Sequence, residues 1–579
     1  MKDDLKAIAD AKKIWVEGSV APALKRFKLP ENPTHFYTPL DLPEFDFLKK
    51  VGFPGQYPFT AGTYAFFPYQ SGVKGSGYIG QAPGLARAGR YSGYGTAEDY
   101  RDYQKHMQSL GARSGPNIAF DLPTQCGYDS DSPMAIGEVG KVGVAVDTLR
   151  DFEVIYEAFT GEMELDRIAS NFTINAPANI IMAMYLALAE KRGISWNKLR
   201  ATPQNDILKE FVARGTYIFP PRPSMRMMRD SLVFFTKYLS NVNITSIGGY
   251  HIREAGATRE QDLAFSMAIG EVYIEEGLKA GLEVDSFAPR FTFNAFGGSM
   301  EFYKEVAFHR ASRRMWANLL KEKFGAKDPR STLLRIGLAA HVGPSSYTVQ
   351  RPVNNLTRAV VGAMASAMSG GPPNVFPPYD EPLGLGWSLE ANQLNEDGNR
   401  ILQHEARLCD VVDPFAGSFF MESLTDQLEE AAEEELKKIR SMGGAVAAIE
   451  SGYMQREVAK GAYARQKRIE AGEDIVVGVN CFTGEHELEV TTSRLVPHPY
   501  DPQKREEAEE RQLANLREIK RTRNSQGVSR TLRALKDATH KEEENLIPYF
   551  IDCVKEYATV QEMCDVLREV FGEAQPMRV

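Results

Sequence analysis

The sequence predicts an α/β fold, namely a (βα)8 TIM barrel with an N-terminal wrapping arm and a C-terminal helical region. From about residue 96, short apolar segments alternate with amphipathic segments of helical period. This order is typical of parallel strands joined by right-handed crossovers. Seven or eight such units within about 330 residues favour a closed barrel over an open sheet.

The chain divides into three predicted regions. Residues 1–90 form an N-terminal helix and an extended arm, residues 91–430 the barrel, and residues 431–579 a helical linker region. A helix is predicted at residues 4–27. The stretch that follows, up to residue 95, is rich in Pro, Gly and aromatic residues. It is too aromatic for a disordered linker, so we expect an arm packed on another surface.

The barrel elements follow from the alternation. Strands are predicted at residues 117–121, 168–175, 199–202, 243–250, 287–293 and 332–338, with a seventh near 374–376. Helices are predicted between and after them at 178–192, 224–239, 259–281, 299–324 and 355–369. The C-terminal region predicts charged helices at 424–442 and 503–523 and an amphipathic tail at 544–571.

Small polar residues occupy alternate positions in several predicted strands. They are Asn171, Thr173, Asn175, Thr245, Thr292 and Asn294. Period two places such residues on one face of a strand. Barrel interiors are usually filled by branched apolar side chains, so an inward polar face would leave a hydrated lumen for a thin ligand. The alternative is a register shifted by one residue, with the polar face directed outward.

Composition excludes several classes of protein. The 579 residues include 68 Lys and Arg and 77 Asp and Glu, a net charge of −9. A mildly acidic chain is a poor candidate for binding nucleic acid. Five cysteines without a Cys-x-x-Cys pair argue against a disulfide scaffold. No signal segment and no run of about 18 apolar residues is present, so we expect a cytoplasmic protein that binds no membrane.

Most catalytic motifs are missing. Gly75, Gly77 and Gly80 match the dinucleotide fingerprint, but no apolar strand precedes them and no helical pattern follows. The sequence contains no phosphate-binding Gly-Lys-Ser/Thr loop, no His-Glu-x-x-His and no Gly-x-Ser-x-Gly. The nine histidines are scattered, so no metal site is predicted.

Three local clusters carry candidate chemistry: residues 89–95, 204–214 and 248–251. The last two lie at predicted strand ends, where barrel enzymes place their catalytic residues. There, a His can polarise a carbonyl, an Arg can clamp a carboxylate with two parallel bonds, and a Tyr can form an aromatic wall. Each residue alone also has an ordinary explanation: packing for Tyr, a surface ion pair for Arg and a structural role for His.

These clusters and their surroundings resemble the large subunit of adenosylcobalamin-dependent acyl-CoA mutases, the methylmalonyl-CoA mutase family. The resemblance covers residues 50–575. Its matching segments include Ala119-Phe120-Asp121-Leu122-Pro123-Thr124, Gln204-Asn205-Asp206-Ile207-Leu208-Lys209-Glu210-Phe211, Tyr217-Ile218-Phe219-Pro220-Pro221, Gly249-Tyr250-His251 and Asp413-Pro414-Phe415-Ala416-Gly417-Ser418.

The resemblance implies a barrel whose polar lumen takes a CoA thioester, and a radical carbon-skeleton rearrangement whose chemistry the cofactor supplies. It assigns two catalytic residues, His251 at the thioester carbonyl and Tyr91 against the substrate and the adenosyl group. It also assigns substrate-binding and cofactor-binding positions. Those for substrate are Arg214 on the free carboxylate, Arg290 on CoA, and Gln204, Tyr250 and His341; those for cofactor are Glu381 at the adenosine ribose and Glu254.

The pair Tyr91 and Arg214 implies a dicarboxylic acyl group, because family members that act on isobutyryl-type thioesters lack it. We expect Arg214 to be buried, and a buried Arg needs an anion. His341, Pro377 and Cys126 stand where the family has a glutamine, an asparagine and an arginine. These departures lie at the acyl and adenosyl end, so we predict a substituent larger than methyl on the malonyl-CoA, such as an alkyl or aryl group.

The family binds cobalamin through an Asp-x-His-x-x-Gly motif that this sequence lacks. We therefore expect a separate small subunit to bind the lower face of adenosylcobalamin and to form a heterotetramer with this chain. Whether a GTPase chaperone loads the cofactor stays open. The alternatives are methylmalonyl-CoA mutase itself and a non-catalytic structural subunit. Retention of Tyr91, Arg214, His251 and Gln204 argues against the structural subunit.

Overall fold

The computed structural model describes residues 2–28, 37–42, 45–63, 93–109, 111, 113–294, 299–336, 343–371, 375, 377–383, 389–484 and 502–575. The helix predicted at residues 4–27 is confirmed. It consists of α1 (Lys2–Trp15), a π turn (Val16–Val20) and α2 (Ala21–Phe27). Much of the predicted arm lies outside the described residues; a short helix, α3 (Phe47–Lys50), belongs to the part that is described.

Five parallel strands form the described sheets. They are β1 (Asn117–Ala119), β2 (Ala169–Thr173), β3 (Arg200–Pro203), β4 (Thr245–Ile247) and β5 (Phe291–Phe293). The first sheet has the order β1-β2-β3 and the second pairs β4 with β5. The amide of Ser246 donates to the carbonyl of Gln204 at 2.8 Å and joins the two sheets. Four of these strands lie within predicted ones, and β3 extends one residue beyond its prediction, to Pro203.

Parallel bridges continue the strand order beyond both ends. Val144 bridges Phe120 and Gly95 on the β1 side, and Ile336 bridges Phe293 on the β5 side. Ile336 falls in the sixth predicted strand, whereas only residue 375 of the seventh is described. The bridges at Val144 were not predicted. The architecture is mixed α/β with parallel sheets and many helices, and closure into a (βα)8 barrel stays a prediction.

Helices separate the strands along the chain, as the alternation predicts. Those of the strand region are α4 (Ala97–Ser109), α5 (Leu122–Gln125), α6 (Leu149–Ile155), α7 (Ala178–Lys191), α8 (Ile207–Lys209), α9 (Pro221–Tyr238), α10 (Gly249–Glu254), α11 (Arg259–Lys279), α12 (Val284–Phe287), α13 (Phe302–Asn318) and α14 (Asn354–Met368). Those that follow are α15 (Leu389–Arg400), α16 (Phe419–Ser441), α17 (Ala445–Glu450), α18 (Tyr453–Glu470), α19 (Pro502–Thr522), α20 (Ser525–Thr539), α21 (Ile547–Lys555) and α22 (Val560–Phe571).

One face of β2 packs against the helices and the other stays accessible. Phe172 is buried, and its ring lies 5.8 Å from that of Phe152 on α6 and 5.3 Å from that of Tyr185 on α7. Asn171 and Thr173 point to the opposite face, where Asn171 is exposed and Thr173 half-buried. The predicted alternation is therefore confirmed in β2, and its polar side is the solvent-accessible one.

The predicted polar face is wrong at Thr245. In the register of β4 and β5, Thr245 lies opposite Phe291, whereas Ser246 lies opposite Thr292. Paired residues of parallel strands share a face, so Ser246 belongs to the polar side. Its hydroxyl donates to the side-chain oxygen of Asn294 at 2.8 Å. The Thr245 hydroxyl instead donates to the carbonyl of Asn205 at 3.0 Å, which satisfies it away from that face.

A buried ion-pair cluster joins α13 to α16. Arg310 is fully buried; its Nε lies 2.9 Å from Asp413 Oδ2, and its terminal nitrogens contact both oxygens of Glu422 at 2.6 and 3.2 Å. Thr425 accepts a further hydrogen bond at 2.8 Å. Two carboxylates and a hydroxyl thus use the donors of the guanidinium, which compensates its desolvation. We call these four residues the Arg310 cluster.

The C-terminal tail packs onto the strand region. Arg226 of α9 donates to four carbonyl groups around the end of α20, those of Thr539 (2.6 Å), Lys541 (2.6 Å), Glu544 (3.0 Å) and Ala538 (3.3 Å). Side chains of α21 and α22 belong to the same apolar core as those of α7 and α9. The tail is therefore part of the folded core. Among the helices of the described ranges, none is long and apolar enough to cross a membrane.

Candidate functional site

The candidate site lies at the carboxyl ends of β3 and β4. Gln204 follows β3 directly, and its amide donates to the carbonyl of Phe172 at 2.8 Å. Asn205 takes a left-handed backbone, with φ 45°, which turns the chain from the strand into α8. A π turn (Glu210–Arg214) then carries Arg214, and Gly215, with φ 79°, ends it. Strand, turn and helix thus bring Gln204 and Arg214 to one end of the sheet.

Buried polar contacts surround Gln204. Its side-chain oxygen Oε1 accepts from Asn175 Nδ2 at 2.9 Å and from Lys209 Nζ at 2.7 Å. Lys209 is fully buried and also forms an ion pair with Glu210. Glu210 in turn accepts from the backbone amide of Thr216 at 3.2 Å and from its hydroxyl. Burial lowers the pKa of Lys209, and the neighbouring carboxylate of Glu210 opposes that shift.

His251 lies on α10, directly after β4. The turn before it is held by Asp206, whose Oδ2 accepts from the amide of Gly248 at 2.6 Å and whose Oδ1 accepts from the hydroxyl of Tyr273 at 2.6 Å. His251 Nδ1 is buried, and no group in the described part of the chain hydrogen-bonds to it. Burial, reinforced by the charges of Lys209 and Arg214, lowers the pKa of His251 well below its usual value. The imidazole is therefore neutral at physiological pH.

Tyr250 lies beside His251, with their ring centroids 3.9 Å apart. Burial raises the pKa of Tyr250 to about 12, so its hydroxyl keeps its proton. A neutral imidazole and a neutral phenol at a strand end can donate hydrogen bonds to a carbonyl oxygen.

Arg214 is exposed, contrary to our expectation of a buried guanidinium. Within the described ranges, no carboxylate forms an ion pair with it. Desolvation therefore does not force Arg214 to take an anion. Its unpaired guanidinium, whose charge acts on His251 and Tyr250, is instead available to a ligand carboxylate.

Arg290 lies at the other end of the strands, immediately before β5. Its terminal nitrogens donate to the carbonyls of Phe235 (2.9 Å) and Leu239 (3.1 Å) and to the hydroxyl of Thr236 (2.6 Å) at the end of α9. Burial lowers the pKa of Arg290 to about 10. The structure thus separates Arg290 from His251, and contact with CoA stays a prediction.

The remaining predicted residues differ in what the structure describes. Glu254, at the end of α10, accepts from the amide of Ser345 at 2.7 Å, and burial raises its pKa. Glu381 begins a short 3-10 turn (Glu381–Leu383) and is half-buried. Tyr91 and His341 lie outside the described residues.

Several residues that build this site carry no role predicted from the sequence. Asp206, Lys209 and Glu210 lie inside the cluster at residues 204–214, but a charged residue next to a helix start is usually interpreted as a solvated one. The sequence feature that could have revealed them is the dense run of polar residues around two apolar ones, Ile207 and Leu208. Among the described residues, no group of three or more His, Cys, Asp or Glu could hold a metal ion.

Comparison with known proteins identifies the family. The methylmalonyl-CoA mutase family pattern matches residues 31–573. The probable mitochondrial methylmalonyl-CoA mutase of Caenorhabditis elegans is 37% identical over 527 residues, which are 91% of this chain and 67% of that protein. The methylmalonyl-CoA mutase of Escherichia coli strain K12 is 36% identical over 506 residues, 87% of this chain and 68% of that protein.

A third relative matches from end to end. The 2-hydroxyisobutanoyl-CoA mutase large subunit of Aquincola tertiaricarbonis is 36% identical over 573 residues, 97% of this chain and 96% of that subunit. The chain therefore spans about two thirds of the methylmalonyl-CoA mutases and nearly all of the large subunit. These matches confirm the resemblance found in the sequence: the chain belongs to the methylmalonyl-CoA mutase family, a family of isomerases.

Proposed function

We propose that this chain is the large, substrate-binding subunit of a coenzyme-B12-dependent acyl-CoA mutase that rearranges a 2-substituted malonyl-CoA into its isomer of the succinyl-CoA type. The observation that carries the substrate class is the exposed guanidinium of Arg214 at the same strand ends as Gln204 and His251. A malonyl thioester offers the two groups that such a site suits, a carboxylate for Arg214 and a thioester carbonyl for His251.

The residues have distinct tasks in this proposal. Arg214 clamps the free carboxylate with two charge-assisted hydrogen bonds and fixes that end of the acyl group. His251 donates an N–H to the thioester oxygen, and a neutral imidazole can do this without giving up its proton. Gln204 and Tyr250 add hydrogen-bond donors at the same end. Tyr91 would contact the substrate and the adenosyl group, as the resemblance implies.

The carboxylates proposed for the cofactor suit a nucleoside. Glu254 and Glu381 are half-buried acceptors, and the ribose of an adenosyl group offers hydroxyl donors. Adenosylcobalamin, when bound, supplies the radical that starts the rearrangement. This chain would hold the adenosyl side, and a small cobalamin-binding subunit would hold the lower face. The large-subunit name of the Aquincola tertiaricarbonis relative supports that division.

The architecture proposed for this function is a (βα)8 barrel within residues 91–430, which takes the CoA thioester along its polar side. Arg290, at the amino end of β5, would contact the CoA end, and the strand ends at Gln204 would take the acyl end. We further propose that large and small subunits form a heterotetramer. The replacements at Cys126, His341 and Pro377 support a substituent larger than methyl.

Rearrangement assays test this proposal. The chain is co-expressed with a small cobalamin-binding subunit and supplied with adenosylcobalamin. The substrates are methylmalonyl-, ethylmalonyl-, benzylmalonyl-, isobutyryl- and 2-hydroxyisobutanoyl-CoA, and products are followed by mass. We expect turnover of the malonyl thioesters, fastest for a substituent larger than methyl.

Each other outcome has a defined meaning. If methylmalonyl-CoA is by far the fastest substrate, the chain acts as a methylmalonyl-CoA mutase and the larger pocket is wrong. Turnover restricted to isobutyryl- or 2-hydroxyisobutanoyl-CoA would contradict the role of Arg214. A stable complex that turns over none of the five would favour a non-catalytic subunit.

A further inference from the structure

Lys209 is a buried cation for which the proposed mechanism has no task. Its side chain is fully buried on the short helix after β3, and its Nζ contacts Gln204 Oε1 at 2.7 Å and the carboxylate of Glu210. Placing an ammonium group in the interior costs free energy unless its partners compensate. An apolar residue would fill the same space without that cost. The position therefore invites a functional explanation.

The contact with Lys209 decides which way the Gln204 carboxamide points. An ammonium group can only donate, so the atom that faces Lys209 must be the amide oxygen. Asn175 Nδ2 donates to the same oxygen at 2.9 Å. Asn175 is itself fixed, because its Oδ1 accepts from the amide of Asp206 at 3.0 Å. Both lone pairs of the Gln204 oxygen are thus occupied, and its NH2 group is left for a ligand.

The network also reaches the histidine. A Cβ on Gly248 would meet Lys209 Cε at 3.1 Å and His251 Nδ1 at 3.2 Å, so the lysine stem and the imidazole flank this glycine. Asp206 holds the Gly248 amide at 2.6 Å on the same turn. The end of β3 and the end of β4 are therefore tied together behind the site by these buried contacts.

We propose that Lys209 is a positioning residue that turns Gln204 into a hydrogen-bond donor toward the oxygen of the acyl-CoA. The identity of the ligand as an acyl-CoA rests on the proposed function, whereas the orientation of the Gln204 amide does not. Without the ammonium group, Gln204 Oε1 keeps only one donor, and the carboxamide is free to rotate and present its oxygen. An oxygen directed at the substrate oxygen repels it, so binding weakens and the rearrangement slows.

A double-mutant cycle tests the proposal in the complex with the small subunit and adenosylcobalamin. The variants are Lys209→Met, Gln204→Met and the double variant, with methylmalonyl-CoA as substrate. Loss of one oriented donor typically costs about 10²-fold in rate, and we expect a loss of that order in each single variant. Because Lys209 acts through Gln204, we expect the double variant to be no slower than Gln204→Met within about threefold.

The cycle separates positioning from a purely structural role. Lys209→Arg retains a donor-only cation, and we expect it to recover part of the lost rate; Met cannot. Lys191→Met removes an exposed, paired lysine far from these strand ends, and we expect it to leave the rate unchanged. Losses that multiply in the double variant, or a folded Lys209→Met enzyme with wild-type rate, would overturn the proposal.

A second variant serves as a control for loss of folding. Lys209→Met leaves Glu210 buried without its cation, so the single variant can fail to fold for that reason alone. Lys209→Met/Glu210→Gln removes both charges, and thermal unfolding reports whether it is folded. We expect this variant to keep the folded state and to show the same loss of rate. If it is folded and fully active, Lys209 does not position Gln204.

Measurements of malonyl-CoA binding separate a failure of the positioning role of Lys209 from a failure of the proposed function. Malonyl-CoA carries the thioester carbonyl and the carboxylate, and its binding to the full chain without cofactor is measured by calorimetry. A wild-type complex that rearranges nothing contradicts the proposed function, yet weaker malonyl-CoA binding by the Lys209→Met/Glu210→Gln chain would still support the positioning role. Equal binding by wild type and variant would overturn that role, and absence of any binding to the wild type would overturn both.

Discussion

Two arginines in different regions of the molecule show how pairing divides structural from functional charge. Arg310, on α13, is fully buried, and its donors are used by Asp413, Glu422 and Thr425. Arg214, at the strand ends, is exposed and forms no ion pair with the described residues. The first guanidinium joins two helices. The second is free to meet a ligand.

We therefore expect mutations in the paired region to change stability and mutations in the open region to change activity. Removing Arg310 would leave two buried carboxylates without their cation, whereas removing Arg214 would leave nothing unpaired among its described neighbours. The neutral imidazole of His251 belongs with Arg214, because its Nδ1 also has no partner in the described ranges. The following experiments test this division.

The largest effect is expected in the Arg310 cluster. Arg310→Met should lower the free energy of unfolding by about 3–5 kcal/mol, because Asp413 and Glu422 stay buried and unpaired. Urea unfolding measures it. The matched control is Arg330→Met, which removes an exposed side chain paired with Asp328, and we expect a change of less than about 0.5 kcal/mol there. Equal effects in both variants would contradict the division.

The next largest effect is expected at His251. His251→Ala should lower kcat about 10²–10³-fold with the fold intact, because it removes the imidazole that we propose as the donor to the thioester oxygen. The measurement is the rearrangement rate in the complete complex. His106→Ala, in an exposed position on α4, is the control and should keep the wild-type rate. A His251→Ala enzyme with wild-type kcat would show that the imidazole does not touch the reacting group.

A smaller loss is expected at Arg214. Arg214→Met should lower kcat/KM for malonyl thioesters about 10–10²-fold, the worth of a hydrogen bond to a charged group. The same variant should lose no measurable stability, because the side chain is exposed and unpaired. Kinetics with methylmalonyl-CoA and urea unfolding of the same sample test both halves. A large loss of stability without loss of kcat/KM would reverse the comparison with Arg310.

The smallest effect concerns pH. Burial lowers the pKa of His309 to about 3 and that of His251 well below its usual value. Below about pH 6.5 the unfolded chain therefore binds protons that the folded chain does not bind. The free energy of unfolding then falls by about 1.4 kcal/mol for each histidine per unit decrease in pH. Urea unfolding between pH 7 and pH 5 should show a shallower fall in His309→Gln and in His251→Gln than in the wild type. Parallel curves for variant and wild type would mean that the folded histidine titrates normally.

Sequence patterns predicted the elements well where local chemistry defines them. Helix α11 begins at Arg259 as predicted, because Thr258 and Gln261 form a capping box at its start. β2 shows the predicted alternation, since Phe172 and its polar neighbours differ strongly in character. The residues that the resemblance assigned at two strand ends, Gln204 and His251, do lie at the ends of β3 and β4.

The rest depended on tertiary contacts that no local pattern carries. Thr245 and Ser246 are both small and polar, so only the pairing with β5 decides which one shares the face of Thr292. Whether Arg214 is buried depends on neighbours far away in the sequence. A fully buried Lys209 is rare for its residue type, and composition predicts the opposite. Closure of the barrel and the roles of Tyr91 and His341 stay predictions.

The contacts of Arg226 have a consequence for the order in which the protein is made. This side chain in α9 is held by carbonyl groups of residues 538–544, more than 300 positions later in the chain. At about 5–20 residues per second, synthesis of that interval takes tens of seconds. During this time α9 has left the ribosome but lacks the segment that covers it. The strand region therefore reaches its final packing only near the end of translation, and a chain that stops before residue 538 leaves the Arg226 guanidinium without these four acceptors.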